Sequence, residues 1–387
     1  MTNFNYENKS KIIFGRNDEK VLANEIKNAG AKKVFIHYGQ NSIIKSGLLG
    51  KVKKELDDAK IKYVEFGGVQ ANPLRSHALQ GIEVAQKNKV DFVLAIGGGS
   101  VIDSAKCIAA GVLNKDIMSY YGTRANPSKK QITGALPLGV VLTLPAAGSE
   151  GSCASVIKDE RNGQKYTIGS QFLRSTFAFI NPEFCTTLPK EQIAAGASDI
   201  LAHMFERYFS PISNVTLTDK LLTGAIQAMF EIAPKVYRDP KNCDAMAEFC
   251  LLGTLAHNGM LSMGREPQSW ESHDIEMATL SGPNNVAHGA GLAIIFPAWL
   301  KHVSKTKPTK ILQFSKEVMG AGDIKDGIAK LEAFYKSLGL ATTMKEIGIR
   351  AEDAVDIAKT AFPKDIVLGG YGQLTFDDIR TVIQFAK

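Results

Sequence analysis

Two sets of residues have the types and spacing needed for chemistry: a run of glycines and a small group of histidines. Gly97, Gly98 and Gly99 stand between an apolar run that begins at Phe92 and a helical pattern that Ser100 opens. Glycines let a backbone approach an anion closely, and a helix N-terminus offers unpaired N–H groups and a positive dipole end. The run predicts a cradle for a pyrophosphate group, with an ordinary glycine-rich turn as the alternative. It matches neither the G-x-G-x-x-G fingerprint nor the P-loop.

The histidines suggest a metal site. Asp199 and His203 are four residues apart, which places both on one face of a helix, and His273 and His288 follow farther along the chain. Three imidazoles and one carboxylate would suit a divalent transition metal. Spacing alone does not show that they converge: a solvated helix face is the alternative for the first pair, and His257 is an equally visible histidine.

Composition limits the possible classes of protein. A chain of 387 residues, 44% hydrophobic and 22% charged, is typical of a globular protein with two domains. The net charge of +7 lies on amphipathic helices, so we expect solvated faces and no nucleic-acid binding. Apolar runs are too short for a membrane span. Five cysteines without a C-x-x-C pair favour a reducing, cytoplasmic location.

The first half of the sequence alternates strand and helix patterns. Such alternation predicts βαβ units, so we expect an α/β dinucleotide-binding domain with a parallel sheet over residues 1–188. The predicted strands are Lys33–Tyr38, Lys62–Phe66, Phe92–Ile96 and Gly139–Leu144, and the predicted helices are Asp18–Ala29, Leu49–Asp58, Leu74–Lys87 and Ser100–Ala110.

The second half shows almost only helical patterns. Pro189 stands at a helix start and marks the boundary, so we expect an all-α C-terminal domain over residues 189–387 that holds the metal and the substrate. The predicted helices are Lys190–Phe209, Val215–Tyr237, Asn242–Met263, Ala290–Val303, Thr309–Met319, Asp323–Ser337 and Phe376–Phe385.

Several motifs in the same order resemble one family nearly from end to end. The motifs are GVQANP at Gly68–Pro73, GGGSVIDSAK at Gly97–Lys106, Thr143–Ile157, Lys165–Pro189, and SDILAHMFERYF, LAHNGM and AHGAGLAIIFPAWL in the helical half. With these motifs the sequence resembles the iron-dependent (group III) alcohol dehydrogenases, especially their NADP-linked butanol dehydrogenase branch, which implies a dehydroquinate synthase-like architecture.

The resemblance implies a role for each matching residue. Asp199, His203, His273 and His288 correspond to the ligands of Fe²⁺, with Zn²⁺ possible. The implied reaction is hydride transfer between NAD(P)(H) and short-chain primary alcohols or aldehydes of the butanol and butanal type, in a homodimer, with the metal polarising the aldehyde oxygen. The residues expected to bind the cofactor are Gly39, Asn41, Ser42, Lys45, Gly97, Gly98, Gly99, Ser100, Asp103, Thr143, Leu144, Ser149 and Lys165.

The first βα turn bears on the choice of cofactor. An acidic residue there would accept hydrogen bonds from a ribose 2′-hydroxyl and repel a 2′-phosphate. The sequence has none between Gly39 and Lys51, whereas Ser42 can donate a hydrogen bond and Lys45 carries a positive charge. We therefore expect NADP(H) to be preferred over NAD(H), the alternative being a surface turn with an incidental lysine.

The sequence departs from the family pattern near the metal. Met277 stands where many members have a second histidine, and His273 and His288 are 15 residues apart, one more than in the branch. Ala147 also replaces a common threonine. Three alternatives remain: a glycerol-type polyol dehydrogenase, a dehydroquinate-synthase-like lyase, and a catalytically silent metal or nucleotide sensor, which Met277 suggests.

Overall fold

The chain divides into two compact units in the computed structural model, which describes residues 1–16 and 21–387. One unit is Glu7–Thr187, and the other combines Met1–Tyr6 with Leu188–Lys387. The predicted division after residue 188 assigned the first six residues to the nucleotide domain. The structure groups them with the helical unit, where the N–H of Thr2 donates to the carbonyl of Gly264 at 3.1 Å.

The first unit is built on a parallel six-stranded sheet of order β1-β8-β5-β4-β2-β3, beside a two-stranded antiparallel sheet of β6 and β7. This confirms the predicted fold class. The strands are β1 Lys11–Phe14, β2 Lys33–Tyr38, β3 Lys62–Phe66, β4 Phe92–Gly98, β5 Leu138–Leu144, β6 Ala154–Asp159, β7 Gln164–Gly169 and β8 Phe177–Ile180.

Helices surround the sheet and make up the second unit. Those of the first unit are α1 Val21–Asn28, α2 Ser42–Lys45, α3 Leu48–Asp58, α4 Arg75–Lys87 and α5 Gly99–Leu113. The second unit contains α6 Lys190–Tyr208, α7 Thr216–Arg238, α8 Cys243–His257, α9 Glu271–Glu276, α10 His288–Val303, α11 Pro308–Glu317, α12 Ile324–Ser337, α13 Ala351–Ala361 and α14 Phe376–Phe385. In the described parts of the chain, no helix is both long and apolar enough to cross a membrane.

The central strands form because their side chains are buried on both faces. Phe92, Val93 and Leu94 of β4 are all fully buried, as are Val34 and Phe35 of β2, so successive side chains on opposite faces are covered. Near-continuous apolar runs of this kind are typical of parallel strands covered by helices on both sides. The core therefore fixes the register of β2 and β4, and with it the positions of the loops at their carboxyl ends.

Some elements differ from those predicted. The strands β1, β6, β7 and β8 and the helices α2, α9 and α13 were not predicted. The predicted helix Asn242–Met263 ends at His257 and is followed by a short 3₁₀ turn, Met260–Ser262. The first residues of the predicted helix Asp18–Ala29, residues 18–20, lie outside the described part of the chain, where α1 begins at Val21.

Candidate metal and dinucleotide sites

The predicted cofactor residues of the first unit lie where three adjacent parallel strands end. The strands β5, β4 and β2 are neighbours, and β3 and β4 lie on opposite sides of β2 although they are consecutive in the chain. The topology therefore reverses between β2 and β4. In open α/β sheets, ligands bind outside the carboxyl ends of strands at such a point. Gly39 follows β2, and Gly97–Gly99 join β4 to α5.

The three glycines of the cradle are required by close packing. A Cβ at Gly97 would lie 2.5 Å from Cγ2 of Val101, one at Gly98 would lie 2.8 Å from the Cβ of Leu144, and one at Gly99 would lie 2.9 Å from the Cβ of Ala147. Real Cβ atoms do not make contacts this short. The helix begins at Gly99, directly after the strand, and no side chain caps it. Its first N–H groups are therefore available to an anion.

The other predicted cofactor residues divide into exposed and half-buried groups. Asn41, Ser42 and Lys45 are exposed in the turn and short helix α2 that follow Gly39. Thr143 and Leu144 end β5 and are half-buried. Ser100 lies in the first turn of α5. All of these belong to segments at the carboxyl ends of β2, β4 and β5.

The side chains of Asp103, Ser149 and Lys165 make contacts inside the protein. Oγ of Ser149 donates to Oδ1 of Asp103 at 2.5 Å, and the N–H of Val156 donates to Oδ2 at 2.9 Å. Lys165 lies on β7, where it pairs in register with Lys158, and it is 8% exposed. A solvated lysine, which the sequence left open, is therefore wrong for Lys165.

The second unit brings the predicted metal ligands together on three helices. Asp199 and His203 lie on the buried helix α6, His273 lies on α9, and His288 is the first residue of α10. Close packing of two of these helices depends on a glycine, because a Cβ at Gly289 would lie 1.9 Å from the carbonyl oxygen of Ala195. The side chain of His288 can therefore approach the carboxylate of Asp199.

The donor atoms are close enough to share an ion. One donor atom each from Asp199, His273 and His288 lies within 4.8 Å of the others. Oδ1 of Asp199 is 4.0 Å from Nε2 of His273 and 3.9 Å from Nε2 of His288. His203 is not one of this closest group, but its Nε2 lies 3.3 Å from the same oxygen of Asp199.

Two glutamates fix the orientation of the histidines, and sequence reasoning missed both. Nδ1 of His273 donates to Oε1 of Glu206 at 2.9 Å, and Nδ1 of His288 donates to Oε2 of Glu276. Because these bonds place the proton on Nδ1, each Nε2 keeps its lone pair toward Asp199. Carboxylates that hold metal-ligating histidines in this way are common, so the residues present fit a divalent metal.

Burial also keeps His203 neutral, as a metal ligand must be. Burial is the largest cause that lowers the pKa of His203 well below its ordinary value, and His257, His273, Arg207 and His288 lower it further. The ring of His257 lies 4.1 Å from that of His203, centroid to centroid. His257, the competing candidate, therefore lies against the candidate ligands, and the closest group of donor atoms does not include it.

The extra residue between His273 and His288 coincides with an irregular segment. Met277–Ser281 form a π-helix after α9, and the N–H of Gly282 donates to the carbonyl of Met277 at 3.1 Å. A π turn holds one more residue than the α turn it replaces, and such turns occur frequently at functional sites. The half-buried Met277 thus begins the segment that accommodates the longer spacing.

Comparison with known proteins gives the family. Residues 9–182 match the model of the iron-containing alcohol dehydrogenases, and residues 193–386 match that of the C-terminal region of the Fe-containing alcohol dehydrogenase family. The chain therefore belongs to the iron-containing alcohol dehydrogenase family, and it is an alcohol dehydrogenase or aldehyde reductase of that family.

Individual relatives match over their whole length. The chain is 36% identical to a probable NADH-dependent butanol dehydrogenase 1 of Bacillus subtilis, with 99% of each protein covered. It is 31% identical to the NADPH-dependent aldehyde reductase YqhD of Escherichia coli, with 100% of each covered. A solved NADH-dependent butanol dehydrogenase A of Thermotoga maritima superposes with a TM-score of 0.94 at 36% identity, covering 100% of this chain and 99% of that one.

Proposed function

We propose that the protein interconverts short-chain aldehydes and primary alcohols of the butanal and butanol type, with an iron centre and with NADPH preferred over NADH. The observation that carries the proposal is the convergence of Asp199, His273 and His288 on one point, with His203 against Asp199. We assign these four residues as the metal ligands. Zinc is the alternative ion, because imidazole and carboxylate ligands generally bind it more tightly than ferrous iron.

The side chains of the site have distinct tasks in this proposal. When bound, the metal supplies a Lewis acid that polarises the carbonyl group, and the nicotinamide supplies or accepts the hydride. Three imidazole ligands and one carboxylate would leave a bound divalent ion with a net positive charge. Glu206 and Glu276 hold two of the imidazoles in the orientation and tautomer required.

Burial contributes to the same chemistry. Asp199, His203 and His273 are each at most 4% exposed, and Glu206 and Glu276 are fully buried. Charges interact more strongly where water is excluded. Among these buried carboxylates a divalent cation would offset much of the negative charge, which supports the assignment of a metal to this place.

The preference for NADPH rests on the chemistry of the first βα turn. Its exposed residues Asn41, Ser42 and Lys45 include donors and a positive charge, and residues 39–51 contain no carboxylate. A 2′-phosphate would be attracted there, and a ribose 2′-hydroxyl would find no acidic partner. The names of the relatives divide between the two dinucleotides, so the turn is the basis of this part of the proposal.

The test is anaerobic turnover of butanal by metal-stripped protein refilled separately with Fe²⁺ and Zn²⁺, with NADPH and NADH compared. We expect metal-restored oxidation with a higher kcat/KM for NADPH. A higher kcat/KM for NADH would contradict the cofactor preference. A protein that binds the metal and oxidises neither dinucleotide would contradict the proposed reaction and favour the silent sensor.

A charge reversal tests the turn itself. Lys45→Glu should lower kcat/KM for NADPH about tenfold relative to NADH, because a carboxylate repels the 2′-phosphate. Lys51→Glu, which changes another exposed lysine at the far end of the same stretch, is the matched control and should change the ratio of the two kcat/KM values little. If the ratio of kcat/KM for NADPH to kcat/KM for NADH is the same in the two variants, Lys45 has no such role.

We infer in addition a cytoplasmic homodimer. The resemblance to the family supports the dimer, and the five cysteines, none of which forms a disulfide in the described part of the chain, support a reducing compartment. Light scattering after size-exclusion chromatography should give twice the chain mass of 41.9 kDa. A mass equal to one chain would contradict the dimer.

A further inference from the structure

Lys106 on α5 is a fully buried lysine whose charge is surrounded by oxygen atoms. Its Nζ donates to the carbonyl and Oγ of Ser149 at 2.7 and 2.9 Å, to the carbonyl and Oγ of Ser152 at 3.0 and 3.1 Å, and to the carbonyl of Ala154 at 2.8 Å. Lysine is almost never fully buried unless it is paired. An ammonium has only three protons to donate, yet five oxygens surround it. This arrangement resembles the oxygen ligands around a bound cation.

A neighbouring carboxylate holds the same stretch of chain. Besides its side-chain bonds to Ser149 and Val156, Asp103 accepts a hydrogen bond at its main-chain oxygen from Oγ of Ser155 at 2.8 Å. Asp103 and Lys106 are three residues apart, on neighbouring positions of one helix face. Together they attach residues 149–156 to the helix that begins at the glycine cradle.

The attached segment continues directly from the wall of that cradle. Leu144 and Ala147 are the residues that a Cβ at Gly98 or Gly99 would meet, at 2.8 and 2.9 Å. Residues 144–154 therefore line the cradle at one end and are anchored on Lys106 at the other. A shift of the anchored end would change the opening that a pyrophosphate and its nicotinamide must enter.

We propose that the ammonium of Lys106 acts as a tethered internal cation that orders Ser149–Ala154 and so positions one wall of the dinucleotide site. Lys106 is a positioning residue, since its Nζ is used entirely by this segment. The role rests on the proposed function, because it requires the dinucleotide to bind at the glycine cradle.

The charge state of Lys106 gives one consequence to measure. Burial lowers its pKa to about 8; Asp103, Cys153 and Glu150 act to raise it, and Arg174 lowers it. The ammonium is present at neutral pH and is lost as the pH rises through about 8. Dinucleotide affinity should therefore fall above this pH in the wild type, and Lys106→Met should lack that step.

The decisive test is chemical rescue of a truncated side chain. We would measure the dissociation constant of NADPH by fluorescence titration, without aldehyde, for the wild-type chain, Lys106→Ala and Lys106→Ala with ethylammonium chloride. Loss of charge-assisted hydrogen bonds should weaken binding about tenfold or more, and ethylammonium should restore part of it. Tetramethylammonium, which has no N–H donor, should restore none. Lys87→Ala, on the exposed face of α4, is the control for removing a lysine.

Each outcome either supports or overturns the positioning role of Lys106. Unchanged NADPH affinity in folded Lys106→Ala, or weakened affinity that ethylammonium fails to restore, would overturn the role. If Lys106→Ala does not fold, Ser152→Ala serves in its place, because it removes one of the five oxygens. This variant should bind NADPH severalfold more weakly while the KM for butanal stays unchanged. Unchanged NADPH binding in Ser152→Ala would overturn the role. A wild type that binds neither NADPH nor NADH would refute the proposed function, and this role with it.

Discussion

Glu206 and Glu276 determine which nitrogen of each histidine faces Asp199. Each follows a predicted ligand by three residues, yet each bonds to a different histidine: Glu206, after His203, bonds to His273, and Glu276, after His273, bonds to His288. A neutral ring that donates through Nδ1 presents Nε2 with a lone pair. These two carboxylates therefore prepare the site before an ion arrives.

The first prediction concerns Glu276. Glu276→Gln should lower metal affinity and butanal turnover by about 10–100-fold, because an amide holds the imidazole of His288 less strongly and in a less certain tautomer. Metal content after dialysis and turnover at saturating Fe²⁺ measure the two effects. Glu248→Gln, at an exposed position of α8, is the control. Wild-type metal affinity in Glu276→Gln would contradict the orienting role.

At the residue scale, the sequence could predict the candidate ligands but not the glutamates that orient them. The four candidate ligands were selected because histidine is rare in this chain and the motifs resemble a known family. Glu206 and His273 are 67 residues apart, and an H-x-x-E spacing on a helix is too common to reveal that they pair. Only the packing of α6 on α9 makes their contact visible.

At the scale of elements, the junction of β4 and α5 gives a second prediction. Gly98→Ala puts a Cβ 2.8 Å from the Cβ of Leu144, so the ends of β4 and β5 must separate. We expect NADPH to bind about tenfold more weakly and the protein to lose about 1–3 kcal/mol of stability. Gly50→Ala on α3, where a Cβ meets nothing within 4 Å, is the control and should be neutral or stabilising. Unchanged NADPH binding in Gly98→Ala would contradict the cradle.

A third prediction follows from His37, which joins β2 to β3 and α5. Its Nδ1 donates to the carbonyl of Phe66 at 2.8 Å, so its Nε2 accepts from Oγ of Ser104 at 2.9 Å. Burial lowers its pKa to about 3; the bond to Phe66 raises it and His77 lowers it further. Between this value and the ordinary 6.5, the unfolded chain binds a proton that the folded one does not. Stability should therefore fall as the pH drops through this window.

The measurement is the thermal midpoint of the wild type and of His37→Gln between pH 4 and pH 7. One proton makes the free energy of unfolding change by about 1.4 kcal/mol per pH unit, and the midpoint should follow it. The variant should lack this contribution. Parallel slopes in the two proteins would contradict the contribution of His37.

The missed elements have identifiable causes. β1 and β8 have four residues each, too few to show a periodicity, and α9 has six before the π-helix begins. The hairpin of β6 and β7 could have been predicted, since the four residues between the strands, 160–163, end in Asn-Gly, with Gly163 at a φ of 72°. The strands β2 and β3 were both predicted to the residue; β2 is a buried apolar run that ends at a clear turn signal, whereas β3 is half-exposed.

At the scale of the whole molecule, the sequence predicted a parallel α/β unit followed by a helical one. This was possible because the change from alternating to purely helical patterns is visible in the chain itself. The attachment of Met1–Tyr6 to the helical unit was not visible, since it depends on contacts such as that of Thr2 with Gly264, 262 residues away in the sequence.

A fourth prediction concerns metal removal. An ion that binds only the folded chain adds about 2.7 kcal/mol at a concentration 100-fold above its dissociation constant. Metal-stripped protein should therefore melt at a lower temperature, and Fe²⁺ or Zn²⁺ should restore the midpoint. In Asp199→Asn, which removes the one carboxylate among the four proposed ligands, added metal should raise the midpoint much less. An equal gain in that variant would place the ion elsewhere.

The central claim is that Asp199, His203, His273 and His288 hold the iron on which the reaction depends. Anomalous X-ray diffraction at the iron absorption edge, from crystals of the Fe²⁺-refilled protein, tests it most directly. We predict one strong anomalous peak per chain, within about 2.0–2.3 Å of an oxygen of Asp199 and of a nitrogen of each histidine. A peak bound to other residues, or no peak in protein that turns over butanal, would contradict the account.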